Sequence, residues 1–501
     1  MNAVLSYIDE PKLEFGYGQR LKDPRDGLFL FGPLSERRPS QMRVGVVGTL
    51  EGLSLYREWL TRVRGFIPAA EPQAAHHLAF PGFEAVFQTP WPNKPIVEIP
   101  LSSTEVANSI RKTDRHTAIY QTVSLFTDRI IQQLTEDDIE VDIWFVVIPD
   151  EVWRLGRPKS RPSRLESIHD AGVLGARLAR KFLREPSLFP EDMVATTAYR
   201  YDLNFHHQLK ARLIQHKAVV QVVRESSLAS EEATEFGYRR IQDPATVAWN
   251  LGTTAFFKAG GRPWKLADVR PGVCYVGLVF KLNTLEPLAG NACCGAQMFL
   301  DSGDGLVFKG AMGPWYSRDR KEFSLSEEVA RDLIKRVVDA YEAIQGSPPR
   351  ELFIHGRKWF SDAEWRGFRS AVSAETNIVC VRISRSHDLK LFGPGRTPVL
   401  RGTAFIASER RAYLWTVGYI PELMTYPGRE VPNPLLVDVS RGHADLNVVL
   451  RDVMGLTKVN FNACIFADGL PVTLRFAEAV GEILTAAPHT PGPPLPFRHY
   501  I

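Results

Sequence analysis

FHHQLKARL (Phe205–Leu213), KAVVQVVRESSL (Lys217–Leu228) and WNLGTTAFFKAGG (Trp249–Gly261) are the three pieces of one stretch on which the reading of this chain turns. The first has helical spacing, which sets His206 and Lys210 one turn apart on a single face. The second is rich in Val and reads as a buried strand carrying one polar residue, Gln221. The third reads as a helix that stops at Gly260-Gly261, with Lys258 in its last turn. A His, a Gln and two Lys can all donate hydrogen bonds, and the lysines add charge, so together they suit one small anion such as a terminal phosphate. Taken singly, each has a plainer reading. An i, i+4 His/Lys pair is commonly a solvated helix face, and a strand Gln is usually a satisfied core amide.

The order His-x-x-x-Lys, Gln in a strand, then Lys-x-Gly-Gly resembles the guide 5′-phosphate pocket in the MID domain of Argonaute proteins. The resemblance is to the short prokaryotic kind, built of MID and PIWI domains only. It extends to DPRDGLFLFGPL (Asp23–Leu34), YVGLVFK (Tyr275–Lys281), FIHGR (Phe353–Arg357) and FADGLPVTLRFAE (Phe466–Glu478). Each motif is weak alone; their joint order and spacing are specific. The resemblance implies an α/β chain with a Rossmann-like MID domain followed by an RNase H-like PIWI domain. Residues 1–265 form an N-terminal segment plus MID, and residues 266–501 form PIWI with a Pro-rich tail.

Composition frames this reading. A chain of 501 residues is too long for one typical domain. Its 44% hydrophobic and 24% charged content is ordinary for a globular protein, and a net charge of +4 permits nucleic-acid binding without demonstrating it. Cys274, Cys293, Cys294, Cys380 and Cys464 form no CxxC or zinc spacing and read as reduced thiols. No signal pattern and no apolar run of membrane length is present, so a cytoplasmic location is expected.

Working outward, Asp23–Gly27 reads as a turn cluster and PGFEAVF (81–87) as extended. Met42–Thr49 reads as a strand, entering a helix through a glycine turn that lacks both GxGxxG and GxxxxGK[ST]. Val141–Ile148 is a buried strand ending at a turn, as in open α/β sheets that bind ligands at their carboxyl edge. Arg154–Arg184 then carries nine cations (Arg154, Arg157, Lys159, Arg161, Arg164, Arg177, Arg180, Lys181 and Arg184) against Glu166 and Asp170 alone. Such a run is usually a solvated face. This excess also suits contact with a phosphate backbone. Beyond Gly261 the order becomes strand, strand, helix, strand, with a Ser324-x-x-Glu327 capping box opening the helix.

PIWI nucleases hold two divalent ions with several carboxylates. Carried over by motif, the first position is Val279 and the second Gly356, neither of which binds metal through its side chain; Asp468 matches the last. Asp301 and Asp304 read first as an Asp-Gly turn. The resemblance thus implies a chain that holds a guide and target without cutting. His206, Lys210, Gln221 and Lys258 are the phosphate ligands, with His207 the rival to His206, and Arg475 is a backbone contact.

It also implies a Mg²⁺ at the guide phosphate. In many Argonautes the terminal carboxylate reaches the same pocket; here the Pro-rich stretch Pro488–Phe497 is expected to carry Ile501 away. The implied partners are a guide RNA, a single-stranded target DNA, and an APAZ-domain protein bearing a TIR, Sir2 or nuclease effector, TIR favoured. The assembly would be a heterodimer that oligomerises on activation in immunity against plasmids or phages. Two alternatives remain: an active nuclease using Asp301, Asp304 and Asp468, and a small-molecule α/β enzyme binding a nucleotide near Gly48.

Overall fold

The computed structural model describes residues 4–501 except 37, 137–138, 170–173, 184, 186, 230–242, 283–291, 300–304, 314, 318–321, 394, 427, 429 and 489–494. The Asp301/Asp304 turn, Asp170 and Arg184 lie outside the described residues.

The first strand, β1 (Val4–Tyr7), is followed by β2 (Val44–Thr49), β3 (Val97–Leu101), β4 (Ile143–Ile148) and β5 (Val220–Arg224). The last four form a parallel sheet in the order β3-β2-β4-β5. Every residue of β2 and β4 is buried, as expected of parallel strands covered on both faces. Helix α1 (Leu50–Arg64) lays Leu53, Tyr56 and Leu60 on one face beside Val46 and Phe145. Helix α2 (Arg115–Glu136) lays Ile119, Val123 and Phe126 on the other beside Trp144 and Val146. Placing β2 between β3 and β4 gives the strand reversal of a Rossmann-like sheet.

Helices α3 (Phe205–Ile214) and α4 (Pro244–Lys258) flank β5 in sequence. Then β6 (Val273–Leu282), β7 (Ala292–Phe299) and β8 (Gly305–Gly313) run antiparallel. Helix α5 (Glu327–Gln345) leads to β9 (Glu351–Gly356), parallel to β6, and β10 (Asn377–Arg385) lies parallel to β9. The hairpin β11 (Thr403–Ser408) and β12 (Arg411–Leu414) and then β13 (Leu435–Arg441) extend the sheet. Helix α6 (Val472–Leu484) precedes a short last strand, β14 (Leu495–Pro496). The ten strands run β1-β11-β12-β13-β10-β9-β6-β7-β8-β14, a mixed RNase H-like sheet.

The local readings at 42–49, 141–148, 205–213 and 249–261 match these elements, while several others are corrected. Asp23 begins a helix, Pro24–Phe31, because its carboxylate accepts from the Arg25 amide at 2.7 Å and Pro24 occupies the first turn. Phe83–Phe87 is likewise helical, with Phe83, Val86 and Phe87 buried. The cap of α5 is Ser326, not Ser324; the capping box is instead Ser361–Glu364.

Strand β1 pairs with β11 of the second sheet, and Leu13–Glu14 pairs with Lys265–Leu266. Behind this strap, buried Glu10 accepts from Arg401 Nε at 2.8 Å and Lys458 Nζ at 2.7 Å. The two sheets share one core, in which Phe257 meets Phe461 and the Trp264 indole donates to the Lys458 carbonyl at 3.0 Å.

Buried Cys274, Cys380 and Cys464 are free, and burial raises each thiol pKa, that of Cys464 to about 12. Among the described residues no helix is long and apolar enough to cross a membrane.

Candidate phosphate-binding site

Asn204 sets the phase of α3, its side-chain oxygen accepting from the amides of His206 and His207 at 3.0 and 3.3 Å. One turn on, Lys210 is only 3% exposed, and its Nζ lies 3.4 Å from the Tyr500 carbonyl. From the end of α4, Lys258, 1% exposed, donates to Gln221 Oε1 at 2.7 Å and to the Val220 carbonyl at 2.9 Å. Gln221 Nε2 donates to the Val222 carbonyl at 3.1 Å. Three segments far apart in sequence thus bring His206, Lys210, Gln221 and Lys258 together.

Their electrostatics follow from burial. Lys210 is brought down to about 7 by desolvation. Lys258 is held well below the usual lysine range by desolvation and then by the charge of Lys210. His206 is lowered by burial and by the positive charges of Lys210, His207 and Lys258. Among the described residues no acidic side chain forms an ion pair with Lys210 or Lys258; their acceptors are neutral oxygens. A cluster of donors whose lysines pair with no acidic side chain suits an anion, whose arrival would restore the charged form of each amine.

His207 points elsewhere. Its Nδ1 lies 3.3 Å from Asp202 and its Nε2 3.1 Å from Glu482 of α6. The rival is engaged by two carboxylates, which leaves His206 to the cluster.

The tail overturns one expectation. Leu495 and Pro496 pair with Val307 and Leu306, and a turn at Phe497–His499 follows. Tyr500 and Ile501 are buried and the Tyr500 carbonyl returns to Lys210, because β14 adds to the edge of the sheet and Phe497 packs on Phe476 of α6. The tail also brings a residue that the sequence reading passed over. Arg498 Nη1 lies 2.9 Å from where a Cβ at Gly260 would sit. No periodicity marks an Arg near a chain end, so only the return of the tail reveals it.

The side chains of this cluster are donors, which fits a phosphate. A Mg²⁺ prefers oxygen ligands, and among these four side chains only Gln221 offers an oxygen, which already accepts from Lys258 at 2.7 Å.

The basic run is exposed at Arg154, Arg157, Lys159, Arg161, Arg177, Arg180 and Lys181. Arg154 is 3.6 Å from Glu151 and 3.7 Å from Glu166, and Arg157 stacks over Trp153 at 4.6 Å. Arg177, Arg180 and Lys181 share the helix Ala176–Phe182, apart from the buried cluster in the chain.

In the second sheet, Val279 lies in β6 and Gly356 ends β9. A Cβ at Gly356 would stand 2.7 Å from Cζ of buried Phe360, so the ring fills the space a side chain there would enter. Beside it, His355 is fully buried, and burial lowers its pKa to about 3. Asp468 is buried, accepts from Asn460 Nδ2, and lies 3.5 Å from Nε of exposed Arg475.

No protein-family model matches the sequence, and no curated protein matches it. Solved Argonaute structures do match. The structure of Clostridium butyricum Argonaute bound to a guide DNA and a 19-mer target DNA has a TM-score of 0.59 at 13% identity, over 97% of this chain and 54% of that one. Aa-Ago with externally bound siRNA gives 0.55 at 12%, over 99% and 56%. A. aeolicus Argonaute gives 0.54 at 12%, over 98% and 54%. The chain has an Argonaute-like fold and spans about half the length of the structures it matches.

Proposed function

We propose that this chain anchors the 5′-phosphate of a guide RNA and presents the guide to a complementary single-stranded DNA without cutting it. The observation that carries the reading is the meeting of buried Lys210 and Lys258, paired with no acidic side chain among the described residues, with half-buried His206 and Gln221. The Argonaute-like fold supports it, since guide and target nucleic acids occupy the Clostridium butyricum neighbour. A sequence-independent anchor at the guide end leaves base choice to pairing. Arg154, Arg157, Lys159, Arg161, Arg177, Arg180, Lys181 and Arg475 then track the phosphate backbone, an exposed and salt-sensitive role. If a Mg²⁺ joins the site, it would be held by phosphate oxygens and would neutralise part of the phosphate charge.

Absence of slicing is part of the proposal. Val279 and Gly356 replace the carboxylates of the resembling nucleases, and the Phe360 ring beside Gly356 supports that reading. Activity is assigned to an APAZ-domain partner with a TIR, Sir2 or nuclease effector, TIR favoured, in prokaryotic immunity. Target pairing would bias that effector between two states.

The test is equilibrium binding of one RNA carrying either a 5′-phosphate or a 5′-hydroxyl, followed by addition of complementary DNA with Mg²⁺ or Mn²⁺. Tighter binding of the phosphorylated RNA, and capture of intact DNA, is expected. Equal binding of the two RNAs, or cut DNA, contradicts the proposal.

A further inference from the structure

We infer that Arg498 is an additional ligand of the bound phosphate monoester, carried into the pocket by the C-terminal tail. The inference rests on the phosphate-anchoring reading above and deepens it.

Position comes first. Lys258 closes α4, and Gly260, two residues on, has φ +97°. That glycine presents no Cβ, and Arg498 Nη1 lies in the space it leaves, 2.9 Å from the Cβ position. The guanidinium therefore sits against the same Lys-Ala-Gly-Gly corner that supplies Lys258. It is also held there. Pro496, two residues before it, pairs with Leu306, the Phe497 ring stacks edge-on to Phe476 at 4.7 Å, and the Tyr500 carbonyl faces Lys210.

Charge comes next. Arg498 Nε is buried and has no hydrogen-bond partner among the described residues. No acidic side chain among them pairs with Arg498, Lys210 or Lys258. A guanidinium placed only to fasten the tail would be expected to bond a carboxylate or backbone oxygen across the interface. This one keeps an N–H unsatisfied beside two buried lysines that no acidic side chain among the described residues offsets. A phosphate monoester, with a charge of about −1.5 to −2 near neutral pH, supplies both the acceptors and the charge. The planar fork of Arg grips two of its oxygens at once, which neither lysine does.

The arrangement ties the anion to the large sheet. Residues 495–501 run from the β8 edge to the pocket, so a phosphate gripped by Arg498 and Lys210 holds the tail from one end while β8 holds it from the other.

The experiment uses the full chain and 3′-labelled RNAs of one sequence with a 5′-phosphate or 5′-hydroxyl. Arg498→Gln keeps a polar stem and removes the charge; Arg498→Lys keeps the charge and loses the fork. Melting temperature and resistance of the tail to carboxypeptidase report whether it stays seated. Arg498→Gln is expected to lower the phosphate-over-hydroxyl preference at least tenfold with hydroxyl-RNA affinity unchanged, and Arg498→Lys to lower it by less. A preference equal to wild type in Arg498→Gln overturns the inference and leaves the four-residue pocket standing. A wild-type chain with no phosphate preference overturns both. If Arg498→Gln releases the tail, Arg498→Lys with a seated tail and a wild-type preference also overturns it.

Discussion

Replacing Lys258 by Met keeps the length of the stem in a 1%-exposed position and removes only the ammonium. In the ligand-free chain that group donates to Gln221 Oε1 at 2.7 Å and to the Val220 carbonyl at 2.9 Å. A charge-assisted contact to phosphate contributes about 1.5–3 kcal/mol. Burial and the neighbouring Lys210 hold Lys258 well below its ordinary pKa, so its protonation on binding offsets part of the gain. The lower part of the range applies, roughly 10- to 30-fold in affinity at about 1.4 kcal/mol per tenfold. Fluorescence polarisation with matched 5′-phosphate and 5′-hydroxyl RNAs measures the ratio directly. The phosphorylated RNA should weaken by that factor, while the hydroxyl RNA should stay within about twofold, since the lost contact serves the phosphate alone. A variant that melts as a folded chain yet keeps the wild-type ratio refutes the assignment of Lys258 to the phosphate.

Three further outcomes are expected. Lys210 has a folded pKa of about 7 against about 10.4 when unfolded, so between those values the unfolded chain holds the extra proton. Stability of the ligand-free chain should therefore rise with pH across that window, while affinity for a 5′-phosphate falls; flat profiles in the wild type would contradict this. Burial alone would raise the pKa of Glu10, yet Arg401 and Lys458 hold it low. Glu10→Gln breaks that buried triad and should cost about 3–5 kcal/mol in urea denaturation; a cost under about 1 kcal/mol would show that the strap is not held by it. Gly356→Asp must displace Phe360 from 2.7 Å and should destabilise by about 1–3 kcal/mol. Val279→Asp combined with Gly356→Asp should still give no Mn²⁺-dependent cutting; target cleavage by the pair would refute the view that this centre cannot be rebuilt simply.

Local pattern carried much of the architecture. The apolar runs at 143–148 and 352–354 lie in strands because parallel strands covered on both faces favour apolar residues. His206 and Lys210 share a helix because their spacing is helical, and His207 turns instead to Asp202 and Glu482. What local pattern could not show is long-range pairing. Strand β1 looks like any short apolar run, and only its register with Thr403–Ile406 places it in the distant sheet. The return of Tyr500 to Lys210 is hidden because Pro-rich sequence signals the end of an element, not where the chain goes next. Arg498 was missed for the same reason. At Asp23 the fault was local: Asp-Pro is a turn signal and a helix start alike, and the apolar residues that follow decide it by packing.

The most direct test of guide anchoring is to purify the chain from cells that express it, extract the nucleic acid that accompanies it, and sequence it with and without prior 5′-dephosphorylation. Short RNAs of narrow length range bearing 5′-monophosphates are predicted. No bound nucleic acid, together with no affinity for phosphorylated oligonucleotides, would contradict the account and leave an Argonaute-like fold without the anchoring role assigned to His206, Lys210, Gln221 and Lys258.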